Sequence, residues 1–75
     1  MTKKTNSMMV SGNVVHAICA TPELAKKLSK ALNARFAVFA QVINEDEVNA
    51  RTAAVTDEAV SKVATFVEGW NAALS

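Results

Sequence analysis

The chain has 75 residues, a net charge of +1, a hydrophobic fraction of 51% and one cysteine. A chain of this length forms one domain with one core and buries only about 60% of its unfolded surface, so we expect a thin stability margin that self-association could widen. One cysteine excludes an internal disulfide, one cysteine with one histidine excludes the usual structural zinc site, and the nearly neutral charge argues against a heavily basic nucleic-acid binder.

We expect no secretory targeting signal at the start of the chain. Residues 1–7 are polar and lack the apolar stretch of a secretory leader, and their composition predicts a disordered arm ahead of a single domain at residues 8–75. No apolar run reaches the roughly 18 residues of a membrane helix. We therefore expect a cytoplasmic protein without membrane contact.

The first predicted strand lies within residues 8–20, where β-branched and apolar residues dominate. A turn signal at residues 11–13 marks either a bulge or a tight turn that splits Met8–Val10 from the main strand. Both alternating sets of side chains at residues 14–19 are mostly apolar. This pattern predicts a strand that is covered on both faces or lies centrally in its sheet.

A helix is predicted next, because Thr21 is a favoured N-cap, Pro22 suits the first helical position and Glu23 complements the helix dipole. Apolar residues recur at helical spacing as far as Asn33. Residues 36–43 then read as a second strand, again apolar on both faces apart from one glutamine.

Residues 44–55 allow two interpretations. They form either a polar hairpin loop with a third strand over Val48–Val55, or a capping box from Asn44 to Glu47 that begins a helix. We prefer the strand because the helical stripe would contain only two large apolar groups. The last element is a helix over Thr56–Leu74, with threonine as its N-cap and a broad apolar band.

These elements predict an α+β domain in the order β-α-β-β-α, with both amphipathic helices packed on one face of a small sheet. If residues 45–55 are helical, the order becomes β-α-β-α-α.

No catalytic motif, phosphate-binding loop or metal-ligand pattern occurs in the sequence. Cys19 ends a strand just before a helix N-terminus, a position that can lower the pKa of a thiol. His16 lies three residues away and thus on the opposite strand face, so the two cannot pair locally. We therefore interpret Cys19 as a buried apolar residue and His16 as structural, and expect no enzyme activity, no cofactor and no metal.

Charge segregation is the main clue to function. Basic residues gather on and after the first helix, and acidic residues gather in the loop after the second strand, where they lack the spacing of a calcium loop. The candidate partner-binding residues are Lys26, Lys27, Lys30, Arg35, Glu45, Asp46 and Glu47.

We expect a non-catalytic protein-binding module that occupies a surface of a larger partner, as small inhibitors and adaptors do, including those carried by phages, and that can form a homodimer. The alternative is a nucleic-acid binder that contacts phosphates through the basic face of the first helix. A third hypothesis is a small-molecule-binding homo-oligomer with a pocket between subunits.

Overall fold

A computed structural model describes residues 7–74 and shows four strands and two helices. In chain order they are β1 (Ser7–Ser11), β2 (Val14–Ile18), α1 (Pro22–Arg35), β3 (Val38–Ile43), β4 (Glu47–Thr52) and α2 (Asp57–Leu74). The predicted α+β class is confirmed, with one strand more than expected. Of the predicted N-terminal arm, residues 1–6 lie outside the described residues and Ser7 begins β1.

The additional strand arises because the turn signal at residues 11–13 makes a hairpin. Ser11 pairs with Val14, so Gly12 and Asn13 form a two-residue loop. Gly12 has φ 60°, the positive value that a type II′ turn needs at its first central position and that glycine adopts without strain. The predicted first strand is therefore a β1–β2 pair.

The four strands form one antiparallel sheet in the order β1-β2-β4-β3. Thus β2 is a central strand, as its pattern predicted. Asn13 and Thr52 extend the pairing of β2 with β4: the Thr52 N–H donates to the Asn13 carbonyl at 3.0 Å, and the Thr52 hydroxyl donates to the same oxygen at 3.3 Å.

Residues 47–52 form a strand, so the helical alternative for this segment is wrong. The hairpin loop is tight: the Asp46 N–H donates to the Asn44 carbonyl at 2.7 Å across Glu45, and Asn44 and Glu45 have φ 49° and 70°. This left-handed conformation costs a residue with a side chain roughly 1–2 kcal/mol. The Cys19 N–H donates to the Asp46 carbonyl at 2.8 Å, which ties the loop to the end of β2.

Both predicted helix starts are confirmed. The Thr21 hydroxyl accepts from the Leu24 N–H at 3.2 Å, and the Thr56 hydroxyl accepts from the Ala59 N–H at 3.2 Å. Helix α1 runs two residues beyond the predicted end at Asn33.

Both helices pack on one face of the sheet, α1 against β3 and β4 and α2 against β1 and β2. Small and branched side chains dominate the core, as the composition predicted. The buried hydrophobic residues are Val15, Ala17, Cys19, Ala25, Leu28, Leu32, Ala40, Val48, Ala50, Val63 and Val67. Within residues 7–74, no helix is long and apolar enough to cross a membrane.

Candidate functional site

The basic candidates divide into two groups. Lys26, Lys27 and Lys30 are exposed on the solvent side of α1. The guanidinium carbon of Arg35 lies 5.3 Å from the centre of the Phe66 ring, close enough for a cation–π contact. Arg35 therefore takes part in the packing between the end of α1 and the middle of α2, whereas the lysines keep their charges in solvent.

The acidic candidates point in different directions. Glu45 is exposed at the strained tip of the β3–β4 loop, and Asp46 is buried, with 8% of its surface accessible. Glu47 is the first residue of β4 and accepts a long hydrogen bond of 3.5 Å from the Asn44 amide. The three consecutive carboxylates therefore do not form one exposed patch. Among the described residues, no three His, Cys, Asp or Glu side chains are placed to hold a metal ion.

Cys19 and His16 lie on opposite sides of the sheet, as their spacing predicted. Cys19 is fully buried in the core. Burial raises the pKa of its thiol, because the apolar surroundings disfavour the thiolate. An activated nucleophile needs a shift in the other direction.

A groove of about 260 Å³ lies between the first turns of α2, the start of β3 and the end of β4. Its floor includes Phe36, Val38 and Val63, and the ion pair of Glu58 with Lys62, at 3.3 Å, lies at its side. The groove belongs to a single chain, so it does not test the hypothesis of a small-molecule pocket between subunits.

The helices leave one side of the sheet uncovered, and we call this side the open face. Side chains alternate between the two sides of a strand, so every second residue of each strand lies on it. Besides the serines that end β1, its residues are Met9, Val14, His16, Ile18, Phe39, Gln41, Ile43, Glu47, Asn49 and Arg51.

The strand register arranges these residues in three rows across the sheet. One outer row contains Val14, Arg51 and Phe39, and the other contains Ile18, Glu47 and Ile43. The middle row runs through Met9, His16, Asn49 and Gln41. Each outer row thus combines one charged residue with two apolar ones, and the middle row is mainly polar.

Two apolar side chains of the open face are strongly exposed. Phe39 is 80% accessible and Met9 is 66% accessible. Arg51 lies directly across from Phe39 and, within residues 7–74, its side chain has neither a hydrogen-bond nor an ion-pair partner. Phe39 and Met9 lie on the two edge strands, and Val14, Ile18 and Ile43 lie on the same face. Exposed apolar groups with polar residues around them are typical of an interaction site.

Of the predicted partner-binding residues, only Glu47 lies on the open face. The sequence contained one signal for this surface: the segments that became β2 and β3 are apolar on both alternating sets. That pattern is typical of strands covered on both faces. In the structure the helices cover one face only.

Comparison with known proteins finds no matching family model, no matching curated protein and no matching solved structure.

Proposed function

We propose that the protein is a non-catalytic protein-binding module that acts by occupying a surface of a partner protein with the open face of its sheet. The observation that carries this proposal is that β2 and β3 have apolar residues on both of their faces, whereas the helices cover only one face of the sheet.

Covering the open face is energetically favourable because apolar side chains there remain in water. Phe39 and Met9 are the most accessible of them. Full burial of one large apolar side chain contributes about 1.5–3 kcal/mol. The five apolar residues of the open face, spread over β1, β2 and β3, therefore offer a driving force that a polar helix surface does not.

The charges of the open face define the chemistry of the partner. Glu47 and Arg51 lie on the same strand with Asn49 between them, and the face has no excess of either sign. A partner must place a cation against Glu47, an anion against Arg51 and apolar groups beside both. Every phosphate of a nucleic acid is negative, so a nucleic acid binds best to a surface with an excess of positive charge. The balanced charges of the open face therefore favour a protein partner.

A photo-reactive phenylalanine analogue in place of Phe39 tests this proposal in living cells. We expect a covalent protein adduct from this position and its loss when Arg51→Glu is added, because the partner's anion then meets a like charge. The matched controls carry the analogue at Thr65 on the outer side of α2 and at Lys27 on α1. Adducts from Lys27 alone, in particular nuclease-sensitive ones, contradict the proposal and support a nucleic-acid binder.

A further inference from the structure

We propose that the molecule bound at the open face is a second copy of this chain, packed face to face about a twofold axis. This inference rests on the proposed function, since it names the partner of the same surface. The axis lies midway between the two sheets, is perpendicular to the strands and runs along the middle row.

The charges of β4 are self-complementary under this rotation. Glu47 and Arg51 are equally spaced on either side of Asn49, about 13 Å apart along the strand. Turning a second sheet by 180° about the axis keeps β4 above β4 and reverses its direction. Each Arg51 then faces Glu47 of the other copy, and both ion pairs form at once, as an interface with twofold symmetry requires.

The same rotation brings apolar groups together. The row with Val14 and Phe39 lies above the row with Ile18 and Ile43 of the other copy. Phe39 therefore covers Ile43, and Val14 covers Ile18, on both sides of the axis. The most exposed aromatic side chain of the described residues thus gains an apolar partner.

The middle row meets itself. His16, Asn49 and Gln41 each face their own counterparts, and Met9 faces Met9. Amide groups both donate and accept hydrogen bonds, so Asn49 and Gln41 can each bond to an identical group. Neither Glu47 nor Arg51 is left against a like charge.

Association by adding strands at the β3 edge is blocked in its centre. The side chain of Asn33, on α1, binds the backbone of Ala40 twice: its amide donates to the Ala40 carbonyl at 2.9 Å, and its oxygen accepts from the Ala40 N–H at 3.0 Å. These backbone groups are the ones that an added strand would use. The open face and the β1 edge are not blocked in this way.

The size of the open face suits a weak dimer. Four strands with about five residues each cover about 19 Å by 17 Å, and two sheets pack about 10 Å apart. Two such faces together bury on the order of 1,000 Å², near the lower limit of specific interfaces. We expect a dissociation constant on the order of 10 µM.

A charge exchange tests the arrangement. In sedimentation of the full chain from about 1 µM to 1 mM, Glu47→Arg and Arg51→Glu each weaken the dimer by about tenfold or more, because each places like charges opposite one another. The double variant restores dimerisation, and an equimolar mixture of the two single variants forms a heterodimer. Lys27→Glu, an equal change of charge on the helix layer, serves as the matched control and leaves the dimer unchanged.

Two outcomes overturn this inference. A wild-type chain that stays monomeric at 1 mM shows that the second copy is not the partner, and an adduct of Phe39 with a different protein then leaves the proposed function standing. A dimer that neither single variant weakens is formed elsewhere, for example at the β1 edge. The absence of both a dimer and an adduct at Phe39 removes the proposed function as well. Circular dichroism of each variant confirms that it is folded.

Discussion

At the scale of single residues, side chains alternate between the two faces of β2. This alternation places the two candidate catalytic side chains on opposite sides of the sheet. His16 lies on the open face, and Cys19, three residues later, is buried beneath the helices. The surroundings of the Cys19 thiol are apolar, so Cys19 behaves as a small core residue.

The buried thiol makes stability depend on alkaline pH. Its pKa is raised above the ordinary 9.0, whereas in the unfolded chain the thiol is exposed and ionises at the lower value. The contribution of the neutral thiol to folding is therefore complete below pH 9.0 and declines as the pH rises toward the pKa of the folded state.

The wild type has a higher free energy of unfolding than Cys19→Ala, and we predict that this difference decreases between about pH 8 and pH 10. Above the ordinary pKa of the thiol, the decrease is at most about 1.4 kcal/mol per pH unit. Urea unfolding at the two pH values measures it. Val15→Ala, an equally buried truncation without a titrating group, keeps a constant difference from the wild type. Equal pH dependence of the two variants contradicts the account.

At the scale of elements, α1 stabilises β3 through two kinds of contact. Its apolar face covers the inner side of the strand, and Asn33, near its C-terminal end, replaces a neighbouring strand at Ala40. Helix α1 therefore both buries β3 and protects its edge.

We predict that Asn33→Ala lowers the unfolding free energy by about 1 kcal/mol, since two hydrogen bonds are lost while alanine regains a few tenths through its helix propensity. Association through the freed β3 edge should also increase with concentration. Urea unfolding and sedimentation measure the two effects. Lys30→Ala, one turn earlier on the exposed side of α1, is the control, and identical behaviour of both variants refutes an edge-protecting role.

The sequence allowed the elements to be predicted where local chemistry decides them. The Thr21-Pro22 start of α1 and the Thr56 cap of α2 follow from hydrogen bonding within one turn. The β3–β4 hairpin was favoured over a helix for lack of a large apolar stripe, and the structure confirms it.

The candidate site could not be predicted in the same way. Phe39, Arg51 and Val14 form one row only because β4 returns between β2 and β3, and strand order is not encoded locally. The adjacent acidic residues also appeared equivalent in sequence, although a γ-type turn at Glu45 sends Asp46 inward and Glu47 onto the open face. The apolar pattern of β2 predicted a strand that is covered on both faces or lies centrally; β2 is central, and the helices cover one of its faces.

At the scale of the whole molecule, the described chain is a two-layer structure with one layer of helices and one bare layer of sheet. A second copy on the open face converts it into four layers, with helices outside and both sheets within. The exposed lysines of the two α1 helices then lie on the two outer surfaces, in contact with solvent. Dimerisation also adds buried apolar area to a chain whose length limits its own core.

The most direct test of face-to-face packing is an isotope-filtered nuclear Overhauser experiment on a millimolar mixture of labelled and unlabelled chain. The account predicts cross-peaks between the Phe39 ring of one molecule and the Ile43 methyl groups of the other. Intermolecular cross-peaks that arise only from helix residues, or none in this mixture, contradict it.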